Sequence, residues 1–528
     1  MLDPFEYTAS LTGANTDQIK LIVSFLLNFP LGSVFIRIPP AYPALRHLFS
    51  IIVTYGELLW LFHDWLGTFV VVLTSLVTYF IAKHVRGTNM PWLVFGLTMT
   101  TLSASHIYRM LAEIPTDRYE ISGAQMVLTM KLTTFAWNIY DGRCPDEELD
   151  SWQKTNRIVG FPTLLEFFGF ISYFPGFQAG PAIEYAAYTS AILGAPLIPE
   201  EFKHIHGVRR MPRGRKGAAY RRLALGLGFL VAFVVIGPLY NYDLMLAPSI
   251  AQQSLWYRIF FMQAAGFSAR TKYYAAWKIC EGACILTGVG FSGWNDKGIS
   301  LWRGASNVEP LKLETAENFK VLIDMWNIKT NQWLRECVYK RVTPKGQKPG
   351  FKSSMITFAT SAFWHGFAPG YYVMFVFAGF IQTLARLCRT LLRPLVLPPT
   401  VATKTGGKPL PPPQTLVKRL YDISGVVCSI LILNYVASAF QLLEVGKVIH
   451  VWSIVGWYGN IVVALGLAFF YGGGAKVLRR MQAARVKRGE HGLDSTAEEP
   501  KRVGTDPMVL PPVDLVAREA EKIAPLTR

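Results

Sequence analysis

The chain is 528 residues long, with 51% hydrophobic, 13% aromatic and only 17% charged residues, against roughly 25% charged in soluble domains; its mean hydropathy is +0.27. A chain this apolar does not stay disordered, and a soluble globule of this length would leave too much hydrophobic surface in water. The class that remains is an all-α polytopic membrane protein. A net charge of +18 would elsewhere suggest a nucleic-acid partner, but the cations sit beside apolar runs, with no aromatic-interleaved basic module, so nucleic acid is excluded.

In chain order, the first residues lack a basic stretch and a small-residue cleavage site, so the first apolar run is expected to be an uncleaved anchor. Runs long enough to cross a bilayer core of about 30 Å lie near 18–38, 45–63, 67–85, 91–111, 122–139, 224–243, 273–291, 369–388, 421–443 and 450–473. Three shorter stretches, 162–176, 254–266 and 353–365, read as re-entrant or broken helices, which a bilayer tolerates only where protein or water covers the freed backbone. About eleven membrane segments are expected within residues 1–473. Basic loops at 203–222, 389–419 and 476–488 belong on one side, the cytosolic one by the positive-inside rule. Residues 393–416 form a Pro-rich linker, and the charged tail 474–528 is expected to be largely disordered. No internal repeat and no ladder of basic residues points to a transporter or channel.

Few residues in this frame can carry chemistry. The six cysteines contain no C-x-x-C pair, and His204 and His206 offer two metal ligands without a third, so neither a disulfide framework nor a metal site is expected. Serine-hydrolase, P-loop and zincin motifs are absent. His365 stands apart. It lies in Ser361-Ala-Phe-Trp-His-Gly-Phe-Ala-Pro-Gly-Tyr-Tyr372, between apolar helix and a Gly/Pro break, and an ionisable side chain at membrane depth usually faces an interior cavity and has a task. The alternative is a core histidine with both nitrogens satisfied. Upstream, 326–341 reads as one amphipathic helix, with Trp326, Trp333 and Cys337 on an aromatic side and Asn327, Asn331 and Arg335 on a polar side. Its alternative is an interfacial helix lying along the headgroups. The interrupted stretch Ser172-Tyr-Phe-Pro-Gly-Phe-Gln-Ala-Gly-Pro181 must line a cavity or pack inside the bundle, whereas Trp137-Asn-Ile-Tyr-Asp141 reads as a span end with an interfacial aromatic.

The W-N-x-x-x-x-x-W-L-R-x-x-V-Y-x-R segment from Trp326 to Arg341, the Lys345-Gly-Gln-Lys-Pro-Gly350 spacer and F-W-H-G-x-x-P-G-Y-Y from Phe363 to Tyr372 together resemble the membrane-bound O-acyltransferase family, and within it the lysophospholipid acyltransferase branch. The resemblance implies helices around an internal cavity and acyl-CoA-dependent transfer of a fatty acyl chain to the free hydroxyl of a lysophospholipid in the endoplasmic reticulum membrane. Its histidine and asparagine fall on His365 and Asn327. A neutral imidazole can take the hydroxyl proton as it attacks the thioester, and an asparagine amide can stabilise the thioester oxygen.

Trp326, Trp333, Arg335 and Trp364 are then candidates for contact with substrate. Lys340, Arg341, Lys345 and Lys348 are candidates for the CoA phosphates, the alternative being an ordinary basic flank. Residues 353–365, if helical, extend about 20 Å and would carry His365 well below the surface. The partners expected are acyl-CoA as co-substrate, a lysophospholipid and the bilayer, with no resident cofactor. Two rival readings remain open: another acceptor within the same family, such as a sterol, a diacylglycerol or a protein, and a non-catalytic lipid-binding transporter or scaffold.

Overall fold

A computed structural model describes residues 3–12, 14–115, 118–194, 211–343, 350–397 and 415–487. Their regular structure is helical, with one isolated bridge between Trp294 and Ser300. His204, His206, Lys345, Lys348, most of the Pro-rich linker and the tail from 488 onward lie outside the described residues.

The first helix, Pro4–Thr12 (α1), precedes Thr16–Phe35 (α2). Asn15 caps α2 by accepting from the Asp17 amide, one of the donors a helix start leaves unpaired. Pro43–Gly56 (α3) runs into a π turn, and Trp65–His84 (α4) is capped by Asp64 through the Gly67 amide. Asn89–Leu111 (α5) leads to Ser122–Asp141 (α6), the central pillar, in which every residue from Val127 to Ile139 is buried.

The chain then breaks into Ser151–Asn156 (α7), Leu164–Ile171 (α8) and Tyr185–Ile192 (α9). Broken helix inside a membrane leaves carbonyls without partners, and Lys131 of α6 supplies donors to two of them, Phe170 O at 2.5 Å and Ile171 O at 3.0 Å. The Pro/Gly-interrupted stretch after α8 packs inside the bundle. Its Tyr173, Phe174 and Phe177 are buried, and the Tyr173 hydroxyl bonds Thr287 at 2.5 Å.

Arg215–Ile236 (α10) and Leu255–Thr287 (α11) form the most closely packed pair, with α2 also on α11. The fold departs from the expected organisation at two places. The second half of the basic loop 203–222 is the first turns of α10. Residues 254–266 are not a separate re-entrant piece but the start of α11, whose 33 residues run without interruption for about 50 Å. Charges at Arg270 and Lys272 interrupt the apolar run, which is why the sequence divides there. In the fold Arg270 grips Glu314 with two bonds of 2.8 Å, and Lys278 pairs with Glu281 at 2.6 Å. Paired charges facing inward are the usual condition for their survival at membrane depth.

Short helices Pro310–Glu314 (α12), Phe319–Met325 (α13) and Ile328–Trp333 (α14) lead through a π turn, Leu334–Tyr339, to Phe351–His365 (α15). Pro369–Leu391 (α16) and Leu416–Leu442 (α17) follow, then Val445–Ile454 (α18), Tyr458–Phe469 (α19) and Ala475–Lys487 (α20). The expected single span at 450–473 is thus two helices, parted at Gly456 and Trp457, both in the left-handed region. The start of the expected disordered tail is also helix: α20 docks through Gln482 and Arg485 onto carbonyls of residues 390–395.

Six helices among the described residues are long and apolar enough to cross a membrane: α2, α4, α10, α17, Pro369–Val396 and Tyr458–Arg485.

Candidate active site

The asparagine segment is not one continuous helix. Trp326 is extended, with ψ 130°, and Asn327 sits in the left-handed region at φ 45°, ψ 54°, before α14 begins at Ile328. Asparagine tolerates that conformation better than most residues bearing a Cβ. The 100° periodicity assumed for 326–341 therefore holds only within α14, and the π turn then shifts its phase. Nor does this segment lie on the headgroups as an interfacial helix, because Trp333, Leu334, Cys337 and Val338 are buried among α5 and α6.

Asn307, from the loop after α11, holds the break together. Its carbonyl accepts from the Ile328 amide at 2.8 Å, and its Oδ1 accepts from the Lys329 amide at 3.0 Å. These are two of the unpaired donors at the start of α14. A backbone amide can only donate, so Asn307 Oδ1 is identified as the acceptor and Nδ2 as the donor. That Nδ2 points at Asn327, so the Asn327 atom receiving it at 3.1 Å is Oδ1, which also accepts from the Thr330 hydroxyl at 2.8 Å. By elimination Asn327 presents its Nδ2, with two N–H donors, away from these partners. The loop bearing Asn307 is fixed in turn by ion pairing at its base, where Ser306 donates to Glu309 at 2.8 Å beside the Lys278–Glu281 pair.

The histidine lies at the C-terminus of α15. Gly366, at φ 122°, ends that helix in a conformation closed to residues with a side chain, and Pro369 starts α16 three residues on. Rings surround the imidazole: Trp364 at 4.7 Å, Phe440 at 4.9 Å and perpendicular, Phe375 at 5.3 Å and nearly parallel, Tyr371 at 5.6 Å. Neither ring nitrogen hydrogen-bonds to a described residue, and His365 keeps intermediate exposure despite its apolar walls. This is not the arrangement of a core histidine with both nitrogens satisfied.

The two segments meet on α6. The Trp364 indole donates to Met126 O at 3.1 Å, and the Thr330 hydroxyl contacts Met130 Sδ at 3.2 Å. These anchors are one helical turn apart, about 6 Å. Trp333 ties the segments together, donating to Thr133 Oγ1 at 2.7 Å while its ring lies 5.6 Å from that of Trp364. The side chains of Asn327 and His365 are not hydrogen-bonded to each other, which leaves both polar ends for a third molecule. Trp326 packs on Trp277 at 4.9 Å and on Tyr273 and Tyr274.

The remaining candidates are engaged with protein. Arg335 pairs with its neighbour Glu336 at 2.6 Å, and Lys340 bridges Glu336 and Asp150, each at 2.5 Å. Burial acts to raise Asp150, but Lys340 and the amides of Gln153 and Trp152 outweigh it and hold the carboxyl below its ordinary range. Arg341 makes two bonds to Asp141 and stacks on the Trp137 ring at 4.1 Å. Trp137 is therefore an interior platform rather than an interfacial aromatic. Asp141 is 1% exposed, and removing one partner of such a pair leaves an uncompensated buried charge. Arg341→Ala is expected to destabilise the protein by about 3–5 kcal/mol, read as a lowered melting temperature. A residue serving only to hold donor phosphate would raise KM and leave melting unchanged.

Sequence pattern alone does not point to Asn307, to Asp141 as the partner of Arg341, or to His106, whose Nε2 lies 3.2 Å from Trp364 O. Asn307 and Asp141 act through contacts 20 and 200 residues away, beyond the reach of periodicity. No group of three or more His, Cys, Asp or Glu suited to a metal occurs among the described residues.

Residues 121–410, from the start of α6 past the histidine helix, match the model of MBOAT, the membrane-bound O-acyltransferase family. The chain is 36% identical over 503 residues to a lysophospholipid acyltransferase of Schizosaccharomyces pombe, covering 94% of this chain and 95% of that protein. It is 33% identical to a lysophospholipid acyltransferase of Saccharomyces cerevisiae, over 88% of this chain and 75% of that protein. Lysophospholipid acyltransferase 5 of Homo sapiens is 28% identical, over 86% and 88% of the two chains. The matched region contains both the asparagine break and the histidine helix, and the chain belongs to the membrane-bound O-acyltransferase family.

Proposed function

We propose that the chain is a lysophospholipid acyltransferase that uses acyl-CoA as donor, resides in the endoplasmic reticulum membrane and keeps its basic C-terminal helix α20 on the cytosolic side. The observation that carries this reading is the pairing of an unbonded imidazole on His365 with a free amide donor on Asn327, on segments whose Trp364 and Thr330 are anchored one turn apart on α6. The lysophospholipid acyltransferases of Schizosaccharomyces pombe and Saccharomyces cerevisiae to which the chain is similar support the choice of acceptor.

In the proposed reaction a ring nitrogen of His365 takes the proton of the lysophospholipid hydroxyl as its oxygen attacks the thioester carbon. The carbonyl oxygen becomes an oxyanion, which the Asn327 Nδ2–H stabilises. Collapse of the intermediate breaks the carbon–sulfur bond, and the departing CoA sulfur takes the proton back from His365, leaving a phospholipid and free CoA. The aromatic walls exclude water that would otherwise compete for the thioester. No covalent acyl-enzyme and no resident cofactor enter this sequence. In this reading the phosphates of CoA stay on the cytosolic side and the lysolipid arrives sideways from the bilayer.

An acceptor panel tests the reading. Membranes carrying the protein are incubated with labelled acyl-CoA and, separately, a lysophospholipid, a sterol, a diacylglycerol and a peptide. Label is expected in the lysophospholipid alone; label in another acceptor, or in none, contradicts the proposal. Asn307→Ala is expected to lower kcat about tenfold with KM little changed, the loss of roughly one hydrogen bond of positioning, about 1.4 kcal/mol. A shift confined to KM would place Asn307 in binding instead.

A further inference from the structure

At the end of the bundle where α4 finishes and α5 begins, away from the His365 side of α6, a cavity of about 400 Å³ is lined by Lys83, His84, Arg86 and Arg143 against Ile139, Ile158, Val159 and Phe161. No carboxylate lines it. We infer that this cavity is a second, non-reacting lipid site that holds the phosphate-bearing headgroup of an anionic phospholipid.

Arg143 is held in place rather than left loose on a flank. Arg143 donates to Ala82 O at 2.8 Å and Val85 O at 3.1 Å, closing the C-terminus of α4 and fixing its own guanidinium at the cavity. Burial and the neighbouring Arg86 both act against the Arg143 charge, a crowding of like charges that a bound anion relieves. Lys83, Arg86 and Arg143 pair with no carboxylate among the described residues. Lys83 sits over the Tyr79 ring at 5.9 Å. Basic pockets between helices at a membrane boundary are suited to anionic headgroups, and the volume lies within the range of ligand pockets, about 300–1,000 Å³.

A lipid fits better than a free phosphate because of what lies beside the cavity. Phe69, Leu73, Phe80 and His84 fall within about 60° of one another on α4 at ~100° per residue. The three apolar members are exposed, and the Phe80 and His84 rings lie nearly parallel at 6.3 Å. That stripe offers an acyl chain a track leading to the cations. A zwitterionic headgroup would bring an ammonium among them and be disfavoured.

The full chain in neutral detergent can be examined by native mass spectrometry with phosphatidic acid, with phosphatidylcholine of the same chains, and with inorganic phosphate as a soluble competitor. Retention of phosphatidic acid over phosphatidylcholine by tenfold or more is expected, with no displacement by inorganic phosphate. Loss of about fivefold per cation removed predicts that Lys83→Ala/Arg86→Ala weakens phosphatidic acid binding roughly 25-fold, whereas Arg86→Lys retains it. Val159→Glu, at an exposed rim position, is expected to weaken binding by repulsion without touching the α4 terminus. The lysophospholipid acylation rate in detergent should be unchanged in all three variants. Equal retention of the two lipids, displacement by inorganic phosphate, or undiminished binding by either the double variant or Val159→Glu overturns the inference.

Discussion

Replacing His365 by alanine is expected to lower the acylation rate by about 10²–10⁴-fold, the usual span for loss of a general base, with KM for both substrates little changed. The fold should survive. Neither ring nitrogen bonds a described residue, so truncation orphans no buried donor or acceptor. Removing the ring does forfeit contacts with Trp364, Tyr371, Phe375 and Phe440, so a modest drop in melting temperature is expected beside the large kinetic loss. Rates measured at equal amounts of folded protein check this. A variant that melts normally and turns over like the wild type would remove His365 from the chemistry.

Asn327→Ala carries the second large effect, and it is expected to act on rate and stability together. Loss of an oxyanion donor costs about 10²–10³ in kcat. Separately, alanine at φ 45° pays about 1–2 kcal/mol of backbone strain, and the Asn307 amide and Thr330 hydroxyl lose their shared acceptor at about 1–3 kcal/mol. Asn327→Gly separates the contributions. Glycine accepts the left-handed conformation without strain, so it should melt higher than the alanine variant yet turn over as slowly. If the glycine variant recovered wild-type kcat, Asn327 would be a backbone hinge and not a donor.

Much of this organisation was legible in the sequence because bilayer thickness acts locally. Runs of about twenty apolar residues announced α2, α4, α5 and α6 to within a few positions, and Gly366 with Pro369 announced the end of the histidine helix. What escaped depended on pairing across the chain. Arg270 interrupts an apolar run in the sequence, and only the fold brings Glu314 to neutralise it, which is why α11 reads as two pieces. The asparagine segment looked periodic because its tryptophans are seven residues apart, yet its first two residues are held out of the helix by Asn307, from a loop with no pattern to read. Lys340 and Arg341 looked free for phosphate because Asp150 and Asp141 lie nearly two hundred residues upstream. His365 was conspicuous for the opposite reason: a titratable group between apolar helix and a Gly/Pro break needs no distant partner to stand out.

The most direct measurement is a structure of the protein holding a lysophospholipid and a non-reactive thioether analogue of acyl-CoA, from which the distance between the His365 ring and the free hydroxyl is read. The account predicts one ring nitrogen within about 2.6–3.2 Å of that hydroxyl, or one water away, with Asn327 Nδ2 directed at the oxygen of the acyl carbonyl. A hydroxyl lodged elsewhere in the bundle, with the imidazole facing only hydrocarbon, would contradict it.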